Sequence, residues 1–171
     1  MSLILITGLP GTGKTAVCNE LKARGYEAYD ADKDHLAQWF DIKTGKAVKV
    51  GDYKPTPEFL KNHSRDIAYN VVESLAKKAT NKTVFLCGDP ANEDELRKLF
   101  SQVFALVLDE ETIRHRLASR TDNTWGKLPR ELDYTFSFQQ ISYERYEKYA
   151  DIILDAAQPT SVIVERILEK I

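Results

Sequence analysis

The most constraining stretch of the chain is LILITGLPGTGKT, from Leu3 to Thr15. Leu3-Ile4-Leu5-Ile6 is short, apolar and uninterrupted, which suits a strand buried on both faces. Gly8, Pro10, Gly11 and Gly13 follow at once, and residues of these types weaken strand and helix alike. Beyond them, Lys14 to Arg24 carries Ala16, Val17 and Leu21 near helical spacing and stops at Gly25. The glycines therefore lie between a buried strand and a helix N-terminus. Gly8, four residues, then Gly13-Lys14-Thr15 is the spacing G-x-x-x-x-G-K-[ST]. Glycine lets the backbone wrap a phosphate closely and point N–H groups inward. The helix start adds roughly half a positive charge at the same place.

On these residues the chain resembles the P-loop NTPases. The resemblance implies that Gly8, Leu9, Pro10, Gly11, Thr12, Gly13, Lys14 and Thr15 bind ATP. Lys14 reaches the outer phosphates, and the Thr15 hydroxyl suits a Mg2+ ligand.

The remainder bounds what such a loop serves. A chain of 171 residues with 43% hydrophobic content suits one domain, 1–171, with one core. A formal net charge of -2 gives no reason to expect nucleic acid or a membrane surface as partner. Cys18 and Cys87 fall in or near apolar segments and read as reduced core residues. The chain enters a strand directly and has no apolar run near the roughly 20 residues of a membrane helix. The expectation is a soluble, cytoplasmic protein, monomeric or homodimeric.

Apolar runs alternate with helical patterns. Glu27 to Tyr29, Thr83 to Cys87, Val103 to Leu108 and Ile152 to Leu154 read as further strands. Thr56-Pro57 reads as the cap and first position of a long helix with Leu60, Ile67, Val71, Val72 and Leu75 on one face. Asn92, with Glu95 three residues on, reads as the cap of another helix. Glu110 to Ser119, most of Pro129 to Tyr149, and Ser161 to Ile171 complete the helices. The alternation predicts an α/β fold with a parallel sheet covered on both faces. Two polar stretches fit neither pattern. Residues 41–56, rich in lysine, read as a substrate-side loop, and residues 120–130 as a small lid with Gly126 as its flexible point.

The chain lacks an Asn-Lys-x-Asp guanine motif and is short for an AAA-type module with a helical extension. Its layout resembles the small-molecule kinases of the shikimate and gluconate type and the adenylate kinase-like group. That resemblance implies a three-layer P-loop fold whose five strands lie in the order second, third, first, fourth, fifth. It also implies phosphoryl transfer from ATP to a small-molecule acceptor.

Four segments bear on the chemistry. YDAD, from Tyr29 to Asp32, is similar to the aromatic-Asp-x-Asp segment of shikimate kinases, which implies Asp30 near the metal and Asp32 at the acceptor hydroxyl. The same aspartates also suit a solvated turn and helix cap. Arg116 and Arg120, four apart, share a helix face. In adenylate kinases such a pair stacks on the base and contacts the transferring phosphate, whereas a solvated basic face is the plainer reading. Asp89, just past the third strand, is a magnesium partner or a turn residue beside Pro90. Shikimate kinases have a glycine cluster there, which Cys87-Gly88-Asp89 is not. Sugar-acid and shikimate kinases use basic groups in this area to grip a substrate carboxylate, and the resemblance implies Arg65, His63 and Lys54 as candidates here. His63 reads as solvated on a helix face, and Tyr143, Tyr146 and Tyr149 as a packing stripe. The expected site is thus catalytic Lys14, Asp32 and Arg120, nucleotide-binding Arg116 with the loop, substrate-binding Asp32 and Arg65, and metal-binding Thr15, Asp30 and Asp89. Two rival functions use the same loop: a nucleoside or nucleoside monophosphate kinase, and a regulatory ATPase without a small-molecule acceptor.

Overall fold

A computed structural model describes residues 2–50, 56–121 and 124–171. Lys54, the rest of 51–55, and residues 122–123 of the expected lid lie outside the described residues.

The apolar run forms β1 (Leu3–Gly8), buried along its whole length. The helix expected after the loop is α1 (Lys14–Ala23), which packs Val17, Cys18 and Leu21 inward. The chain continues through β2 (Glu27–Asp30), β3 (Ala37–Asp41), β4 (Ala47–Val48), α2 (Pro57–Asn62), β5 (His63–Ile67), α3 (Tyr69–Lys78) and β6 (Val84–Cys87). One turn of helix, α4 (Glu93–Leu96), leads to β7 (Gln102–Val107) and α5 (Glu110–Ser119). The last elements are α6 (Pro129–Ser137), α7 (Gln139–Tyr149), β8 (Ile152–Asp155) and α8 (Thr160–Leu168). The main sheet is parallel, in the order β2-β6-β1-β7-β8. That is the expected order of the five core strands. Alternate residues of β1 feed the two faces: Ile4 and Ile6 enter one apolar cluster with α1 and α8, Leu3 and Leu5 the other with α3. Each such fully buried Ile or Leu contributes on the order of 2 kcal/mol. Cys18 and Cys87 are free and buried, as read.

The expected long helix after Thr56 is interrupted. Thr56 does cap α2, its hydroxyl accepting from Phe59 N at 3.2 Å. The helix ends at Asn62, however, and residues 63–67 pair antiparallel with β3. β3 also pairs with β4, giving a second, three-stranded sheet in the order β4-β3-β5. Arg65 and His63 therefore stand on a strand. His63 is not a solvated helical residue: its ring stacks on Phe59 at 3.8 Å, and Nδ1 lies 2.8 Å from Phe59 O. The polar run Lys61 to Asp66 breaks the apolar stripe, and a helix through it would have no buried face there. The part of 41–56 read as irregular also holds a strand, β4.

Asn92 does not cap α4 with its side chain. Its amide instead accepts from Ile67 N at 3.2 Å and donates to Ile67 O at 3.0 Å. With Ala91 N donating to Arg65 O at 2.9 Å, it ties the small sheet to the end of β6. The helix expected from Pro129 to Tyr149 is two, α6 and α7, meeting at Phe138. Among the described residues no helix is long and apolar enough to cross a membrane.

Candidate active site

The chain leaves β1 at Gly8 and wraps into the first turn of α1. A Cβ on Gly8 would stand 2.6 Å from Leu106 O and 2.7 Å from the Thr12 hydroxyl, so only glycine lets the loop lie this close to β7. Lys14 lies back along the loop, donating to Gly8 O at 2.5 Å and Leu9 O at 3.1 Å. Burial pulls its pKa below the ordinary lysine value, while Asp89, Asp32 and Asp30 pull the other way. The ammonium thus sits in the field of all three candidate aspartates.

Asp30 ends β2 and is buried. Its Oδ2 accepts from the Thr15 hydroxyl at 2.7 Å, and its Oδ1 accepts from Asp32 N at 3.0 Å and Lys33 N at 3.1 Å. These donors fix the carboxylate and aim it at the first turn of α1. Asp34 is a turn residue: its Oδ2 accepts from Asp30 N at 2.8 Å. Asp32 stands outward on the same turn and takes Arg65 Nη2 at 3.0 Å. Their side chains are 60% and 35% exposed, so this pair orients more than it stabilises. Trp39 lies across from Arg65 on β3, its ring 5.5 Å from the guanidinium carbon, with Phe59 edge-on at 5.3 Å.

Asp89 is held from three sides. Its Oδ1 accepts from Arg145 Nη2 at 2.6 Å, the Tyr146 hydroxyl at 3.2 Å and the Thr7 hydroxyl at 3.1 Å. Behind it lies Glu93, 1% exposed, with Thr7 Oγ1 at 3.3 Å and Arg145 Nη2 at 3.8 Å. Burial pushes the Glu93 carboxyl up to about 7 against the pull of Arg145. Arg145 and Glu93 were not singled out in the sequence. The available signal was an arginine inside the tyrosine stripe of α7; Glu93 stands among three acidic residues in the first turn of α4, with no local mark of burial.

Arg116 of α5 lies beside the loop, and Arg120, just past the end of α5, lies in the field of Lys14. Arg116 Nη1 lies 3.8 Å from where a Cβ on Gly13 would stand, and its Nη2 donates to Ala156 O at 3.0 Å. Arg120 at the end of α5 depresses the Lys14 pKa and donates to Trp125 O at 2.7 Å. Arg114, by contrast, pairs with Glu110 in an i,i+4 bridge at 2.6 Å. Residues 126–128 are tied to α5 and α6. Lys127 Nζ donates to Ala118 O and Arg120 O at 2.5 and 2.6 Å. Glu131 Oε2 accepts from Gly126 N and Leu128 N at 2.8 and 3.1 Å.

Loop, lysine and aspartates gather at the carboxyl ends of β1, β2 and β6, where doubly wound sheets bind ligands. A cavity of about 470 Å³ lined by Phe40, Ser64, Asp66, Tyr69, Asn92 and Glu95 lies elsewhere. Strand alternation puts Phe40, Ser64 and Asp66 on the face of the small sheet opposite Trp39 and Arg65.

Fold and loop together define a P-loop nucleotide-binding protein built on the plan of the small-molecule kinases. The chain belongs to the AAA domain family AAA_18, whose model matches residues 4–134. The reading that the chain is too short for an AAA-type module is thereby corrected. No curated protein matches the sequence. Among solved structures, the shikimate kinase from Acinetobacter baumannii in complex with shikimate is similar at TM-score 0.63 and 17% identity, over 99% of this chain and 92% of that one. A gluconokinase from Sinorhizobium meliloti 1021 aligns at TM-score 0.58 and 19% identity, over 98% and 90%. The deoxyadenosine kinase from M. mycoides with bound products aligns at TM-score 0.51 and 14% identity, over 98% and 97%. At these identities the likeness is one of fold.

Proposed function

We propose that the protein transfers the γ-phosphoryl group of ATP to a hydroxyl group of a small molecule. The observation that carries this reading is the position of Lys14 within the field of Asp30, Asp32 and Asp89, with Asp32 alone of the three mostly exposed. Asp30 and Thr15 fit a magnesium site: a hydroxyl and a carboxylate meet beside the loop. No cluster of three or more Asp, Glu, His or Cys that could hold a metal occurs among the described residues, which suits an ion held largely by phosphate and water. Bound there, magnesium supplies charge neutralisation to the β- and γ-phosphates. Asp89 is the weaker candidate for that site, because Arg145 already takes its charge.

In the reaction, the acceptor oxygen forms a bond to the γ-phosphorus while the bond from phosphorus to the β,γ-bridging oxygen breaks. The bridging electrons leave with ADP, and the acceptor proton passes to Asp32. Lys14 and Arg120 stabilise the charge on the transferring group, and Arg116 borders the nucleotide. Such catalysis is mostly positioning and electrostatics.

Product analysis tests the proposal. ADP formation is measured with a panel of hydroxyl metabolites, and the phosphorylated product is identified by mass. Stimulation by one compound, falling roughly 100-fold or more in Asp32→Asn with ATP affinity kept, is the expected result. Slow hydrolysis indifferent to every compound overturns it in favour of a regulatory ATPase.

A further inference from the structure

Two guanidinium groups stand beside the aspartates in the field of Lys14, and both are already matched. Arg65 Nη2 stands 3.0 Å from Asp32 Oδ1. Arg145 Nη2 stands 2.6 Å from Asp89 Oδ1 and 3.8 Å from Glu93 Oε2. The two pairs differ in strength. Asp32 and Arg65 are exposed enough for water to screen them, whereas the Arg145 and Asp89 side chains are only 21% and 20% exposed. Asp89 cannot easily turn away, since Tyr146 and Thr7 converge on the same oxygen.

We propose that Asp89 sets acceptor specificity by holding Arg145, so that the site takes an uncharged hydroxyl compound and rejects acids. The proposal rests on reading the place beside these aspartates as the acceptor site. An acid bound at Arg145 would bring its carboxylate beside Asp89 and Glu93. It would either share the guanidinium with them or strand the Asp89 charge in a place where desolvation is costly. A hydroxyl or carbonyl oxygen adds no charge and leaves both pairs intact. Trp39, half-buried beside Arg65 with Phe59 behind it, adds a flat apolar wall suited to a ring-bearing acceptor.

The experiment compares matched ligands that differ in charge: shikimate with its methyl ester, and gluconate with glucitol. Binding is followed by titration calorimetry, with and without a non-hydrolysable ATP analogue and magnesium, in the parent protein, Asp89→Asn and Asp89→Gly. Circular dichroism and melting confirm that each variant is folded. In the parent, the acid is expected to bind no tighter than its uncharged partner. In at least one folded Asp89 variant, the acid should gain about tenfold over that partner, the effect of exposing one desolvated cation to it. Adding Arg145→Gln should abolish the gain. A parent that prefers acids tenfold overturns the proposal, and so does an unchanged acid-to-neutral ratio in both variants, including the case in which no ligand of the set binds. Because binding is read without turnover, absence of phosphoryl transfer would sink the kinase reading while leaving this comparison to be decided separately.

Discussion

Lys14 shows how much one side chain carries. Its ammonium is buried against the Gly8 and Leu9 carbonyls, at the point where the motif requires a cation. Lys14→Ala is expected to weaken Mg-ATP binding by roughly 10- to 100-fold, the worth of a charge-assisted contact, with little change in melting temperature. Calorimetric titration checks it, and unchanged affinity would remove the basis of the nucleotide assignment. Arg116 and Arg120 should differ in kind. Arg116 lies against Gly13 and is tied to Ala156, so Arg116→Ala should mainly raise the KM for ATP. Arg120→Ala should mainly lower kcat, by roughly 100-fold or more, because a contact to the transferring group strengthens in the transition state. Steady-state kinetics separates the two, and equal, negligible effects would return both to a solvated face. The spacing of four made this pair visible in the sequence. It left out Arg114, whose guanidinium the structure pairs with Glu110.

At the scale of elements, the described residues between α5 and α6 are tied by contacts of Arg120, Lys127 and Glu131. Gly126 has φ +85°, and a Cβ there would stand 2.9 Å from Leu117 Cβ. Gly126→Ala therefore combines left-handed strain with a clash and should cost about 1–3 kcal/mol locally. Faster hydrogen exchange in 124–128 and a fall in kcat are expected, since Arg120 donates to Trp125 O in the same segment. Unaltered exchange would show that the segment absorbs the methyl group. The small sheet teaches a different lesson. Leu60, Ile67, Val71 and Val72 fit a helical face on paper, and Ile67 and Val72 are indeed buried. They are buried from a strand and a separate helix, because residues 63–67 find backbone partners in β3, at a distance that periodicity does not register.

Across the whole molecule, Glu93 joins three parts: it follows β6, reaches Thr7 of β1 and faces Arg145 of α7. Its carboxyl is raised from 4.5 to about 7, so the folded chain keeps a proton that the unfolded chain releases. The resulting stability is present in full below pH 4.5 and is lost as pH rises to about 7, by on the order of 3 kcal/mol. Glu93→Gln should remove this dependence, its stability relative to the parent growing from pH 5 to 8. Denaturant melts at four pH values read the difference, and a constant offset between the two proteins would contradict the shift. The loop and its lysine were legible from the sequence because they depend on local signals: an apolar run, glycines at set positions, a helix start; the order of the main sheet was legible only through the resemblance to the P-loop kinases. The placement of Asp30 and Asp32 at the carboxyl end of β2 was legible as well, since strand ends in such a sheet face the crevice. The Arg145–Asp89–Glu93 cluster, the pairing of β5 with β3 and the meeting of Trp39 with Arg65 were decided only by tertiary structure. Each joins residues far apart in the chain, and its energy arises from burial and charge pairing that exist only once those segments are packed together.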